Sequence, residues 1–373
     1  MKKFSFLFAL AICFLNLGCR SNAQNGRAEN SAPKELIDAY LKPNWNLNVA
    51  KSNLFPTDSK FKKSKDHTEI VQKIIDENKI IILPDFKLYI NSKGLKIGSN
   101  KTIIFQKNSS ISFIGEANGR FSDVIKIYDA ENVTLVNPVV VGSRYSKTKS
   151  QTGQWSAGIC VLNSKEVKIT NANISNTFGD GIFIGSENGG FSQNVTVEGG
   201  YINKARRNGI SVTSAKNVVL KDILISNTYG HDPESGIDLE PSWEKDILTD
   251  ILLKNIYTYH NNLAGISINL NAFNKQSKQD IKTVRIEIEN HTDNGSTHGF
   301  LTSLNTDDAL YDANGLIKLK NVVWKNNEKP YWFTKNNHNI ELIFSDVKID
   351  DYAQKKSFEE SVKGIRNVKM ITE

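Results

Sequence analysis

The residues best equipped for chemistry crowd into one stretch, Tyr229-Gly-His-Asp-Pro-Glu-Ser-Gly-Ile-Asp-Leu-Glu-Pro241. It carries His231, Asp232, Glu234, Asp238 and Glu240 beside the tyrosine. In its second half Ile237 and Leu239 alternate with Asp238 and Glu240, the period-2 pattern of a strand with one buried face. Both carboxylates then leave the strand on one side, about 6.5–7 Å apart at the rise of an extended chain. Pro241 ends the strand by removing a backbone donor. Two like charges on one face cost stability, so a cation from another element has to offset them. Such a pair can exchange protons with a substrate or hold a divalent cation.

The elements that must position this pair recur. Units open AGICV (157–161), DGIFI (180–184), NGISV (208–212), SGIDL (235–239) and AGISI (264–268), with glycines at 158, 181, 209, 236 and 265. A weaker copy starts at Gly299 (GFLTS), and an earlier one at Val124 (VIKIY). Each opening strand is followed by a second, as in VKI (167–169) or NVVL (217–220), and by a third that ends near Asn or Thr, as in NANISNT (171–177). Three short strands per turn and Asn at recurring corners describe coils stacked in parallel, about 4.8 Å apart. One coil cannot bury its apolar face alone, so the stack is the domain. A β-sandwich would not repeat Gly-Ile at near-constant spacing, and the Leu/Asn pattern of leucine-rich repeats is absent.

The expected fold is therefore all-β, a single-stranded right-handed parallel β-helix of about 9–10 coils. A helix from Asp66 or Thr68 to Asn78, with Ile70, Ile74 and Ile75 as its apolar stripe, is expected to plug the first coil. The domain reading is residues 1–19 as a signal peptide, 20–60 as a tether and N-terminal extension, 61–352 as the solenoid and 353–373 as a C-terminal cap. Residues 20–35 in particular read as a polar tether.

At 373 residues and 39% apolar content the chain can bury a large core. Its formal charge of +7 is mild for this length, and no dense Lys/Arg run points to nucleic acid. Lys2 and Lys3 precede an apolar run from Phe4 to Leu17, too short for a membrane span and typical of an export signal. Leu15-Asn-Leu-Gly-Cys19 resembles a lipobox that would leave Cys19 lipidated, although Asn16 fits it poorly. Ser21-Asn-Ala23 offers an ordinary cleavage site instead. The expected location is thus periplasmic, outer-membrane-anchored or secreted, with the membrane reached only through a lipid. Past the leader Cys160 is the one thiol sure to remain, which rules out an intrachain disulfide.

The leading helix, the LPDFKLYI entry strand (83–90) and the repeats resemble the right-handed parallel β-helix of the pectate-lyase-like superfamily, over roughly residues 66–350. That resemblance implies a protein acting on a polysaccharide, as a lyase, glycoside hydrolase, uronan C5-epimerase, esterase or tailspike. Tyr229-Gly-His-Asp232-Pro233 is further similar to the Tyr-Gly-x-Asp-Pro-His segment of mannuronan C5-epimerases, whose Tyr, Asp and His are catalytic. Tyr229 and Asp232 carry over, while Glu234 stands where the His belongs. The adjacent aspartates and Gly-His-Gly of the hydrolytic pectinases find no counterpart on an opening strand.

Registering the repeats gives an outward ladder Cys160, Phe183, Ser211, Asp238, Ser267, and two residues on Leu162, Gly185, Thr213, Glu240, Asn269. One rung alone is doubly acidic. The turns feeding these strands place Asp180, Arg206 and Arg207, the His231-Asp232-Glu234 loop and His260 along one edge. Arg206 and Arg207 are the cations expected to offset Asp238 and Glu240. Plainer readings compete: Asp before Gly forms turns, paired arginines can be solvated, and His260 can be a polar turn residue.

Three chemistries fit. In β-elimination on a uronic acid, Arg207 or a Ca²⁺ held by Asp238 and Glu240 would neutralise the substrate carboxylate, and His231, Tyr229 or an Arg would move protons. Epimerisation shares that first step. Hydrolysis needs two carboxyls, drawn from Asp238, Asp232 and Glu240. The expected catalytic set is Asp238, Glu240, Asp232, His231, Arg207 and Tyr229. The expected substrate-binding set is Arg206, Asn208, Asp180, Phe183, Glu234, Trp243 and His260, with Trp155 as a further sugar platform. Elimination is the preferred reaction, a monomer the expected state, and a non-catalytic glycan binder the alternative outside enzymes.

Overall fold

The structure, a computed structural model, describes residues 31–45, 54–117, 122–145, 155–273, 281–304, 313–334, 336 and 338–371. The expected signal peptide, the two expected cleavage sites and Cys19 lie outside these residues.

The stacked coils build two parallel sheets. The short sheet has nine strands and is formed by the Gly-Ile units, running from Leu95–Lys96 through Ile125–Tyr128, Ile159–Leu162, Ile182–Gly185, Ile210–Val212, Ile237–Leu239, Ala264–Asn269 and His298–Ser303 to Tyr331–Phe333. Its register is that of the repeats. Ile125, Ile159, Ile182, Ile210, Ile237, Ile266 and Phe300 lie directly over one another and are fully buried. Each column of like side chains fills the interior, so every coil buries the apolar face of its neighbours.

The second and third strands differ from the expectation. They are halves of single long strands such as Lys165–Ser175 and Ala215–Ser226, bent in the middle. At most bends an Asn or Asp takes a left-handed conformation, among them Asn171, Asp222, Asn255, Asn290 and Asn321, with φ between 52° and 57°, and in Ser192–Asn203 Gly199 does so instead. Short amide and carboxyl side chains tolerate that conformation best. They also bond along the stack: Asn255 donates to Asp222, Asn290 to Asn255 and Asn321 to Asn290.

The repeated glycines are needed for space. A Cβ on Gly181 would lie 2.6 Å from the carbonyl oxygen of Gly209, and one on Gly209 would lie 2.6 Å from that of Gly236. An incoming Ile side chain of the long sheet would be closer still, at 2.5 and 2.2 Å. Only a residue without a side chain lets the two sheets close on each other there.

Helices seal the stack. Thr68–Glu77 covers the first coil with Val71, Ile74 and Ile75, whereas Ile70 is 42% exposed. The stripe is thus 71, 74 and 75, one residue off the expected one at its start, since i, i+3 and i+4 share a face. Asp66 accepts from the Thr68 amide at 2.9 Å. At the other end Tyr352–Lys363 inserts Phe358 and Val362, and Phe358 packs edge-on against Trp324 and Phe344. The described part of the expected tether is ordered: Lys34–Tyr40 is a helix, and Ala32, Leu36, Ile37 and Tyr40 pack on Tyr201, Leu224 and Tyr257 of the long sheet. Its apolar residues gain more by covering those rings than by staying in water.

One polar network lies within the coils. Asp293 accepts from Thr258 (2.6 Å), Ser296 (2.7 Å) and Asn327, and His291 Nε2 lies 2.9 Å from Thr258 Oγ1. Burial pushes Asp293 up to about 6 and His291 down to about 3. The acid's folded value is raised, so its contribution is complete below the ordinary carboxylate range and is lost as pH rises through about 6. The histidine's is depressed, so its contribution is complete above its ordinary value and is lost as pH falls through about 3. Replacing Asp293 by Asn removes the first dependence alone. Urea denaturation from pH 4 to 7 should show the variant gaining on the wild type by about 3 kcal/mol across that window. Parallel stability curves would show that Asp293 is not buried in this way.

Candidate active site

The doubly acidic rung sits on Ile237–Leu239 of the short sheet, in register with Ser211 on one side and Ser267 on the other. The strand is short because Pro241 follows one residue after Glu240. Asp238 was expected to face solvent, but it is 1% exposed. It lies under Arg207 and Asn208, while the Glu240 side chain remains 33% exposed. Burial, and then the neighbouring Glu240 to which it is hydrogen-bonded, hold the Asp238 carboxyl well above its ordinary range. Glu240 is fixed from the other side by Asn269, whose Nδ2 donates to Oε1 at 2.7 Å.

Arg207 is the compensating cation. Its Nη1 donates to Asp180 (3.1 and 3.3 Å) and to Ser211 Oγ (3.1 Å), and its Nη2 lies 3.9 Å from Asp238 and 3.6 Å from Glu240. Burial pulls the guanidinium down, but the three acids, Asp180 foremost, raise it beyond its usual value. Asp180 is itself raised by burial and lowered in part by Arg207. Its carboxylate also accepts the Asn208 amide at 3.0 Å. Asn208 is fully buried and donates to Asp238 (3.1 Å) and Ser211 (3.0 Å). Asp180 and Asn208, expected to line the surface, are instead internal supports of the rung.

Arg206, expected to share the charge compensation, turns away. Its guanidinium carbon lies 4.2 Å from the Phe178 ring centre and its Nη1 donates to the Phe178 carbonyl at 3.2 Å. Consecutive residues of the turn project to opposite sides, so one arginine enters the rung and the other the outer edge. The loop from Tyr229 is also placed differently from the epimerase-like expectation. The Tyr229 ring lies under Arg144, 3.7 Å from its guanidinium carbon. Asp232 is exposed, His231 Nδ1 bonds the Asp232 carbonyl, and Glu234 bonds Gly230 and Asn262. These bonds close the loop on itself rather than directing it to Asp238. His260 is a left-handed corner residue with its ring against Tyr259 and Gly295. Among the platforms, Phe183 sits on the rung before Ser211, with Trp155 edge-on at 6.4 Å. Trp243 is 52% exposed on the loop after Glu240.

The pair Asp238 and Glu240 does not suit a divalent cation as it stands. Arg207 Nη2 already occupies the position from which a cation would neutralise both. Among the described residues no three His, Cys, Asp or Glu side chains form a metal-holding group.

A second polar group escaped the sequence reading. Tyr128 donates to Asp123 at 2.5 Å, Asp123 accepts the Ala157 amide at 2.6 Å, and Lys126 and Cys160 are partners in register. Burial raises Asp123, Tyr128 and Cys160 and lowers Lys126. The signal was present: VIKIY was recognised as a coil, and its outward residues are Lys126 and Tyr128. They fall on the same two levels as Asp238 and Glu240.

Fold and rung together define a right-handed parallel β-helix protein with Asp180, Asp238 and Glu240 gathered around Arg207 on its short sheet. Residues 125–295 match the family described as right handed beta helix region. The chain is 25% identical over 234 residues to YclG of Bacillus subtilis (strain 168), covering 58% of this chain and 38% of that protein. It therefore spans well under half the length of the curated relatives it matches. Two solved structures share its architecture. One is the polygalacturonase of Erwinia carotovora ssp. carotovora, with a TM-score of 0.53, 15% identity and 85% and 95% of the two chains covered. The other is a 1,3-alpha-1,4-beta-D-galactose-4-sulfate-3,6-anhydro-D-galactose-2-sulfate 4 galactohydrolase, with a TM-score of 0.55, 15% identity and 79% and 76% covered.

Removing Arg207 while leaving its acids in place isolates buried carboxyls. Arg207→Gln should destabilise the fold by about 3–5 kcal/mol at pH 7. The loss should shrink toward pH 4, as Asp180 and Asp238, both raised by burial, take up protons and no longer need a partner. Denaturation at the two pH values checks this, and an equal loss at both would mean the guanidinium acts through packing alone.

Proposed function

We propose that this chain acts on a polysaccharide by proton transfer at the Asp238–Glu240 pair, in a lyase-type β-elimination. The carrying observation is the pair itself: two carboxyls on one face beside Arg207, with Asp238 buried and held above its ordinary range by that burial and only Glu240 open to solvent. Of the two, Glu240 is the one a substrate can reach, so it is the member that would accept a proton. It would take the proton from the carbon beside a uronate carboxylate. The C–H electron pair then forms the new C=C bond, the adjacent C–O bond breaks, and Glu240 returns a proton to the leaving oxygen. Asp238 and Arg207 act as positioning residues, fixing where the charge of the pair resides.

Carboxyl spacing weighs against the hydrolytic alternative. Inverting hydrolysis uses carboxyls about 6.5–9.5 Å apart, and retaining hydrolysis about 5–5.5 Å, on two sides of the bond. Asp238 and Glu240 touch and share one side. The polygalacturonase and the galactohydrolase support a polysaccharide substrate through their names, and the shared fold alone does not choose the reaction. An exported location, at the cell surface or beyond it, is the setting in which such a substrate would be met. Elimination also needs the uronate carboxylate neutralised, and Arg207, enclosed by three acids, does not serve for that.

Glu240→Gln should lower turnover by roughly 10²–10⁴-fold with the fold retained. The assay follows ultraviolet absorbance of the unsaturated product and reducing ends together, on alginate, pectate and glycosaminoglycans. Reducing ends without absorbance would replace elimination by hydrolysis, and binding with no product of either kind would leave a glycan binder.

A further inference from the structure

Asn269 ends the strand Ala264–Asn269, one coil past Glu240 on the same level, and is in register with Ser303 of the coil after. An asparagine amide can present either its oxygen or its nitrogen to a carboxylate, and the surrounding bonds decide which. Here the Asn271 backbone N–H donates to Asn269 Oδ1 at 3.1 Å, so the oxygen is taken and Nδ2 faces Glu240 Oε1 at 2.7 Å. That turn is itself held fast. Leu270 and Phe273 are buried in the core, the Phe273 amide donates to the Leu270 carbonyl at 3.0 Å, and the Leu270 amide donates to the Ser303 carbonyl at 2.9 Å. Ser303 Oγ donates to Asn271 Oδ1 at 3.0 Å. The side-chain bonds therefore run one way, from Ser303 through Asn271 and Asn269 to Glu240, across three coils. On the other carboxylate oxygen Arg207 Nη2 stands off at 3.6 Å, beyond hydrogen-bonding distance, so it supplies charge but no direction.

We infer that Asn269 is a positioning residue for Glu240, a donor dedicated to holding that carboxylate in one orientation while Asp238 lies buried beside it. The inference rests on the proton-transfer reading and adds the group that sets the geometry of the accepting member. A neutral amide orients a carboxylate without cancelling its charge, and a donor favours the charged form, which is the form that accepts a proton. Donors aligned head to tail polarise one another, so the chain from Ser303 strengthens the last bond in it. A competing role for Asn269 is to close the turn onto the Asn271 amide, and an aspartate closes such a turn equally well. An ionised aspartate cannot donate. One substitution therefore separates the two roles.

The test is Asn269→Asp in the full chain, which keeps the acceptor for Asn271 and puts a like charge where the donor to Glu240 stood. On whichever of alginate, pectate and glycosaminoglycans the wild type cleaves, kcat should fall roughly ten- to hundredfold, the span of a hydrogen bond to a charged group. KM should change by less than about twofold, since the loss falls on the chemical step. The acid limb of kcat/KM should move to higher pH, because a carboxylate beside Glu240 favours its protonation. An unchanged kcat with an unmoved limb would leave Asn269 the turn alone and overturn the inference. A second readout needs no substrate. In urea denaturation at pH 7, Asn269→Asp should lower the folding constant roughly tenfold in the wild-type chain. In a chain carrying Glu240→Gln it should change little, because the new amide can donate to the aspartate. An equal loss in both chains overturns the inference. If Asn269→Asp alone does not fold, Glu240→Gln in the same chain should restore folding, and failure to do so counts the same way. A wild type that yields no product from any of the three polymers sinks the elimination reading, and the denaturation cycle still decides whether Asn269 holds Glu240.

Discussion

The architecture rests on coils that stack at one register and approach more closely than any side chain would permit at the glycine column. Gly158, Gly181, Gly209, Gly236 and Gly265 let the backbone of each short strand lie against the next coil and against the end of the long sheet. A slip of one residue would put isoleucines into solvent and carboxylates into the core. Because the register cannot slip, residues 22–35 positions apart in the chain become neighbours. Asp180, Arg207 and Asp238 come from three successive coils and meet only through that constraint.

The cluster they form has a charge problem solved inside the wall of the solenoid. Three acids surround one guanidinium, and burial raises the Asp238 carboxyl above its ordinary range, which favours its uncharged form. Buried ionisable groups are tolerated when they are paired and hydrogen-bonded, and Asn208 and Ser211 complete those bonds. The outcome is asymmetric: one carboxyl is hidden and the other is open, which sets the pair apart from a surface ion pair.

Much of this was legible in the chain. Gly-Ile units at near-constant spacing carry the period of the solenoid, so the ladder Cys160, Phe183, Ser211, Asp238, Ser267 is the one the strands adopt. The need for a cation near Asp238 follows from like charges on one face, and Arg207 was among its candidates. What could not be read was side-chain direction in the turns, where no period applies. Arg206 and Arg207 are neighbours of one type, yet they go to opposite sides. The same holds for Tyr229 and Asp232, whose five-residue likeness to an epimerase segment says nothing of the Arg144 that covers the tyrosine. Burial of Asp238 was also out of reach, since it depends on Arg207 and Asn208 folding over it.

The C-terminal end of the core changes character from aliphatic columns to packed rings. Trp324 stacks on Phe300, and Phe344 and Phe358 meet it edge-on beneath the final helix. Aliphatic columns repeat from rung to rung and would accept another rung of the same kind, but interlocked ring planes do not. A second molecule therefore finds no matching template for its own coils at that interior, and growth into a fibre by continuation of the core is blocked by shape.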